Sequence, residues 1–302
     1  MSKISSPAQT IKKHDFSNKI PYKHHMINKS KKPQVFVANE LDFSKAATEK
    51  LITTARQTLS VSHDNTSTIV FPTGNTVNEV KKYIIANKNK HVFANNVGEL
   101  TNIWHNLTLM QMDETLHTNQ YAQELSIFAN QLGIPDENRI LINGKNMDQE
   151  KEIETLQYNF DTHPPQIVVL GLGAHDCHIA FNQRGTTIND HARIVKFTQQ
   201  TRQQQNNGDE NGEISHGITV GPKELLGTDQ THILMLVNGK HKENALAEIL
   251  NGPITNQAPG SLCRIKEEQF TIIADKAAAA GLEKNHDNYD LKEYPAPHDL
   301  AR

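Results

Sequence analysis

The sequence predicts a doubly wound α/β fold: a mostly parallel, Rossmann-like sheet with helices on both faces. Short β-branched runs alternate with stretches of helical spacing from Val35 onward. One run, Ile167 to Leu172 (IVVLGL), is continuously apolar, as a strand buried on both faces must be. The connecting segments are short and carry Gly, Thr, Asn and Asp at strand ends, where such sheets place their ligands.

Taken in order, residues 1–34 read as a basic, partly disordered N-terminal tail. Lys12, Lys13, Lys19, Lys23, Lys29, Lys31 and Lys32 crowd a stretch with almost no apolar period, and Pro21 and Pro33 punctuate it. Such a segment buries too little to offset its ordering entropy. Residues 35–302 then read as a single domain. Phe43 to Leu59 has the spacing of an amphipathic helix, through Phe43, Ala46, Ala47, Leu51 and Ala55. Ser67 to Phe71 is a strand, and Thr76 to Ala86 a helix with Val77, Val80 and Ile84 on one side. Leu107 to Met112 is a strand followed by a helix over Tyr121 to Leu132. After the Ile167 strand, the pairs Ile233 to Val237 with Glu243 to Leu250, and Phe270 to Ile273 with Lys276 to Leu282, repeat strand then helix. Gln199 to Ser215, rich in Gln, Asn and Gly, reads as a surface loop.

Composition narrows the class of protein. Hydrophobic residues make up 36% of the 302, a low share that fits one domain plus a polar tail. A formal net charge of -3 gives no field for nucleic acid. Cys177 and Cys263 are the two cysteines, which excludes a disulfide framework and suits a reducing compartment. No apolar run approaches the roughly 20 residues of a membrane span, and the first thirty residues lack the apolar core of a signal peptide. The expectation is a cytoplasmic protein that binds neither nucleic acid nor membrane, with homo-oligomerisation left open.

Three strand-end motifs carry chemistry. Thr73-Gly74-Asn75-Thr76 lies between a strand and a helix, where a flexible glycine, hydroxyls and free helix N–H groups can cradle a phosphate. It lacks the Walker pattern, so it is not a nucleotide loop. Asp113 and Glu114 close an apolar strand, the place for a general base. Gly171 to Asn182 (GLGAHDCHIAFN) runs from a buried strand into a loop carrying Asp176 and His178, spaced so that the carboxylate can orient the imidazole. His175, Asp176, Cys177 and His178 are contiguous, unlike the dispersed ligands of a metal site, so no metal is expected. Arg202 and Lys242 are candidate phosphate cations.

The third motif resembles the D-G-H-I-A-F-N-E stretch of the glucosamine-6-phosphate deaminase/isomerase family, which is related to the 6-phosphogluconolactonases. The loop P-T-G-N-T, the M-D-E at 112–114, Thr201-Arg202, Gly217-Ile218-Thr219-Val220-Gly221 and Gly239 to Lys242 are similar to further elements of that family, in the same order. The likeness runs from Val35 to Leu282, and Ile179-Ala180-Phe181-Asn182 favours the deaminase branch over the lactonases. It implies conversion of glucosamine 6-phosphate and water to fructose 6-phosphate and ammonia, without a cofactor. It also implies roles. Asp113 moves a proton between C2 and C1, and His178, oriented by Asp176, assists ring opening. Thr73, Gly74, Asn75, Thr76, Glu114, Arg202 and Lys242 bind a phosphorylated amino sugar. Gln183 takes the position of the family's acidic residue five places after the histidine and is the fourth catalytic candidate, a departure from the pattern, as is Cys177, where the family has glycine. Arg184 replaces a proline, and Thr115 a tyrosine. A neutral amide cannot exchange a proton, so a phosphosugar-binding protein without catalysis and a lactonase-like hydrolase stand as alternatives.

Overall fold

The computed structural model describes residues 31–88, 102–209 and 212–294. The expected tail lies outside the described residues up to position 30. Nine strands form one sheet: β1 (Gln34–Ala38), β2 (Ser67–Phe71), β3 (Leu107–Gln111), β5 (Arg139–Ile140), β6 (Ile167–Leu170), β9 (His232–Val237), β10 (Phe270–Asp275), β11 (Asn285–His286) and β12 (Tyr289–Glu293). Their order across the sheet is β11-β12-β1-β10-β9-β6-β2-β3-β5. All pair in parallel except the edge hairpin β11–β12. A second, antiparallel sheet joins β4 (Asp113–Thr115), β8 (His216–Thr219) and β7 (Arg193–Lys196) in the order β4-β8-β7.

Strand side chains alternate between two cores. Ile167 and Val169 of β6, Leu234 and Leu236 of β9, and Leu107 and Leu109 of β3 face one side. Val168 and Leu170, Ile233, Met235 and Val237, and Met110 face the other. That period of two, apolar on both phases, is why these strands read as unbroken hydrophobic runs. The first core is covered by α1 (Phe43–Val61), α2 (Asn75–Asn87) and α3 (Gln120–Leu132), through Phe43, Ala47, Leu51, Val77, Val80, Ile84, Leu125 and Phe128. The second is covered by α4 (Gln149–Thr162) and, further along the chain, by a helix over Glu243–Asn251 that buries Ala245, Leu246, Ile249 and Leu250. The doubly wound expectation therefore holds.

Two expectations fail locally. Lys276 to Leu282 is not a helix but a run of turns, with a single i to i−4 amide bond from Ala279 to Asp275 O at 3.0 Å. Its alanines favour helix, yet a segment this short gains little from propensity alone. Packing decides instead, and Ala278 is buried with the second core. Within the expected loop at 199–215, Gln199–Gln205 forms a short helix, α5, opened by the Thr198 side chain accepting from Thr201 N. Only Thr201 of α5 is buried, so no apolar period signalled it. A further short helix, Pro222–Leu225, is α6, and Glu243–Asn251 is α7.

Leu234 lies in β9 with 3% of its surface exposed, among the side chains of the α1–α3 face. Leu234→Ala is expected to lower unfolding free energy by about 2–5 kcal/mol, read as a fall in the urea midpoint at unchanged slope.

Candidate active site at the strand switch

The chain runs from β2 outward to β3 and β5 on one side, returns to β6, and then moves outward to β9 and β10 on the other. Strands β2 and β6 are adjacent and flank the reversal. The loops after β2 and β6 therefore part from each other above the sheet, which leaves a crevice at the carboxyl ends of these strands. Parallel pairing brings the ends of β3 and β9 to the same edge. All three motifs singled out in the sequence follow these four strands, as does Lys242.

After β2, Gly74 takes φ +108°, a conformation that L side chains rarely adopt. Its carbonyl accepts from Val77 N at 3.2 Å and Asn78 N at 3.0 Å, so Gly74 is the N-cap of α2. The amides of Asn75 and Thr76 have no carbonyl behind them in the helix and point toward the crevice end of α2. Thr76 Oγ1 donates to Asn238 Oδ1 at 2.8 Å, which ties the loop after β2 to the loop after β9.

At the end of β3 the backbone crosses from the large sheet into β4, so Asp113 pairs with Thr219 instead of continuing the parallel ladder. Asp113 is 8% exposed. Burial first, then the neighbouring Glu114 and Glu124 charges, push its carboxyl up to about 7. The adjacent Glu114 is fully buried and does different work. Its Oε2 accepts from Ala122 N at 2.8 Å, Tyr121 N at 3.1 Å and Gln111 Nε2 at 3.2 Å, while Oε1 accepts from Thr115 N at 2.9 Å. Glu114 thus caps α3 from across the strand and fixes the chain on which Asp113 sits.

After β6 the loop folds back on itself: Gly173 N donates to His178 O at 2.9 Å. His178 Nδ1 lies 2.6 Å from Asp176 Oδ1, and His178 N donates to the same oxygen at 3.3 Å. A side chain on Gly173 would come within 2.3 Å of the His178 ring, so glycine there makes room for the imidazole. Burial raises the Asp176 carboxyl, but the hydrogen bonds and charge of His178 outweigh it and hold Asp176 below its ordinary value. Lys242, at the start of α7, donates to Leu172 O. Burial lowers its ammonium pKa, and the Asp176 charge works against that fall.

The structure thus brings Asp176, His178, Lys242, the 73–76 loop and Asp113 to one edge of the sheet. Two candidates are occupied elsewhere. Gln183 Nε2 donates to Lys196 O at 2.9 Å and Gln183 Oε1 accepts from Thr198 N at 2.7 Å, so its amide bridges β7 to the start of α5. Arg202, in the last turn of α5, donates from Nη2 to Gly212 O at 3.0 Å, while its buried Nε–H finds no partner among the described residues.

Sequence reasoning passed over Tyr121, Asn238 and Asp275. Tyr121 bonds Gln205 of α5 through its hydroxyl, and burial followed by the Asp113 charge raises its phenol. Asp275 accepts from Gly239 N at 2.7 Å and Ala278 N at 2.7 Å, shaping the loop that leads to Lys242. A carboxylate closing the apolar run FTIIAD is the same signal that marked Asp113, and it was legible. Among the described residues no group of His, Cys, Asp and Glu could hold a metal ion.

The topology defines a doubly wound α/β protein whose three strand-end motifs meet at the switch point. Within that class the chain resembles the glucosamine-6-phosphate deaminases and has the fold they share with 6-phosphogluconolactonases. It is 29% identical over 184 residues to the glucosamine-6-phosphate deaminase of Halalkalibacterium halodurans, covering 58% of this chain and 73% of that one. To the enzyme of the same name from Lacticaseibacillus paracasei it is 34% identical over 137 residues, covering 44% and 56%. The chain thus spans between about half and three quarters of the length of these relatives. Among solved structures, a monomeric glucosamine-6-phosphate deaminase superposes with a TM-score of 0.68 at 21% identity, over 82% of this chain and 99% of that one. The 6-phosphogluconolactonase from Trypanosoma cruzi superposes at 0.61 and 17%, over 83% and 97%. No family model matches.

The raised Asp113 carboxyl has a consequence for stability. A group protonated more readily when folded stabilises the fold fully at low pH, and that contribution is lost as pH rises through its folded pKa. Between its ordinary value of 3.8 and about 7, Asp113 makes the fold weaker with rising pH. Asp113→Asn is expected to flatten the stability profile in that window by about 1 kcal/mol per pH unit, measured by urea unfolding at stepped pH. A variant profile parallel to that of the wild type would show that Asp113 does not carry the effect.

Proposed function

We propose that the chain is an amino-sugar-phosphate isomerase/deaminase acting in the cytoplasm, converting glucosamine 6-phosphate and water to fructose 6-phosphate and ammonia. The observation that carries this reading is Asp113, a nearly buried carboxyl with a pKa raised to about 7 on the strand edge that also holds the Asp176–His178 pair. A base poised near neutral pH suits abstraction of a proton beside a carbonyl. The names of the relatives supply the substrate class. Two buried free cysteines and the lack, among the described residues, of a helix long and apolar enough to cross a membrane accord with the compartment.

In this reading the substrate phosphate lies at the N-terminus of α2, held by the Asn75 and Thr76 amides and the Thr73 hydroxyl, with Lys242 as the cation. His178, held by Asp176, passes a proton during ring opening. Asp113 then takes the C2 proton and returns it to C1, which makes C2 an imine carbon. Water adds there and the C–N bond breaks to release ammonia. Glu114 holds Asp113 in place through α3 and does not touch the sugar. Gln183, with both amide atoms engaged by the backbone, orders the segment leading to Arg202 and takes no part in proton transfer.

That last assignment separates the enzyme reading from a non-catalytic phosphosugar binder, which the neutral side chain at 183 otherwise favours. Coupled detection of ammonia and fructose 6-phosphate is expected to show turnover by the wild type. The acid limb of kcat/KM should lie near the Asp113 pKa of about 7, with activity rising as the carboxylate forms. Asp113→Asn is expected to lower kcat by about 10²–10⁴-fold, and Lys242→Met to act mainly on KM. Saturable binding of the sugar phosphate without product would establish the binder. Hydrolysis of 6-phosphogluconolactone in place of ammonia release would establish the lactonase.

A further inference from the structure

The loop carrying Asp176 and His178 bends through a residue poorly suited to the bend. Cys177 has φ +55°, in the left-handed region that glycine fills at little cost and a side chain strains to adopt. A tight turn here is obligatory, since Gly173 N must reach His178 O and the His178 ring must clear Gly173. The strained residue sits between the two groups whose mutual geometry the proposed chemistry uses.

Behind the loop, three side chains meet. The Cys177 thiol donates to Glu248 Oε2 at 3.4 Å and approaches Ala245 O at 3.8 Å, both on α7. Glu248 Oε1 accepts from Arg184 Nη1 at 3.2 Å. Arg184 Nη2 donates to His175 O at 3.1 Å, one residue before Asp176, and Nη1 also bonds Gln257 O. The Cys177 carbonyl accepts from Gly260 N at 2.8 Å. These bonds tie residues 175–177 to Glu248 and Ala245 of α7, to Arg184 and to the backbone at Gly260. Burial, then Glu248, push the thiol up to about 12, so it stays a hydrogen-bond donor at neutral pH.

We infer that Arg184, Glu248 and Cys177 form a positioning clamp that holds residue 177 in its left-handed turn and so keeps Asp176 and His178 aligned toward the crevice. None of the three is assigned a contact with the substrate, and the inference rests on the proposed isomerase/deaminase reading only for its kinetic readout. The Arg184–Glu248 pair is about half exposed, with side-chain accessibilities of 41% and 43%. An exposed pair of this kind adds little to global stability. Its effect is therefore expected in alignment more than in the thermal midpoint. With glycine at 177 the turn carries no side-chain strain, and the clamp has less to hold.

The test is a double-mutant comparison of Arg184→Ala in the wild-type and Cys177→Gly backgrounds, with Glu248→Gln as a second break in the clamp. In the wild-type background, either break is expected to lower kcat for glucosamine 6-phosphate by about 10–100-fold with KM moving less than about threefold. In the Cys177→Gly background, the same breaks should cost less than about threefold in kcat. The readout independent of turnover is the Nδ1–H resonance of His178 in histidine-labelled protein. It should shift or broaden in Arg184→Ala and Glu248→Gln, and return toward its position in the Cys177→Gly/Arg184→Ala protein. Equal losses in both backgrounds, or an unmoved His178 resonance in every variant, would overturn the clamp. A wild type silent toward glucosamine 6-phosphate but showing the resonance pattern would sink the substrate reading and leave the clamp standing.

Discussion

The reversal of strand order between β2 and β6 is the constraint on which the rest of the molecule depends. The central strands β2, β3, β6, β9 and β10 are apolar on both phases of their alternation, so the sheet needs helices on both faces. Parallel strands in turn force every connection to cross back over one face. Where the direction of winding changes, two neighbouring loops diverge, and a crevice opens without further design. The 73–76 loop and the 171–178 loop are those two neighbours. The ends of β3 and β9 add Asp113 and Lys242 from either side. Candidates more than a hundred residues apart in sequence come to one edge of the sheet because β2, β3, β6 and β9 pair in parallel.

Around that crevice, electrostatics differentiates three carboxylates that look alike in the sequence. Asp113 has few compensating partners, and burial together with like charge raises it. Glu114, one residue on, is also raised by burial, against the opposing hydrogen bonds of the Ala122 amide, Gln111 and Thr115, and those bonds tie it to the start of α3. Asp176 gains the His178 bonds, which more than offset its burial. One group is left ready to exchange a proton near neutrality, one is committed to the scaffold, and one orients an imidazole. At the end proposed for the phosphate, α2 offers backbone donors, and Lys242 a partly desolvated ammonium held by Leu172 O.

Most of the sheet was legible because buried parallel strands leave unbroken apolar runs. Ser67–Phe71 was read to the residue, and α1, α3 and α7 to within two residues at either end. The failures have one physical source. Lys276 to Leu282 has helix propensity but too little length, and tertiary packing settled it as turns. Arg193–Lys196 and His216–Thr219 are short strands, and α5 has no apolar face, so neither period was available to find them. At the site, the order of short motifs located the crevice, whereas individual roles needed geometry. Nothing in the sequence distinguishes Glu114 as a cap from Glu114 as a ligand, or shows the Gln183 amide spanning Lys196 and Thr198. Tyr121 carried only the signal of an aromatic near a helix start, which is commonplace.

The most direct test of the account is a crystal structure of the protein with glucosamine 6-phosphate bound to the Asp113→Asn variant. The phosphate is expected at the N-terminus of α2 beside Lys242, with C2 of the sugar facing residue 113 and the ring oxygen toward His178. A sugar bound with its phosphate away from the 73–76 loop, or with residue 113 on the far side from C2, would contradict the assignment of this crevice as the site of reaction.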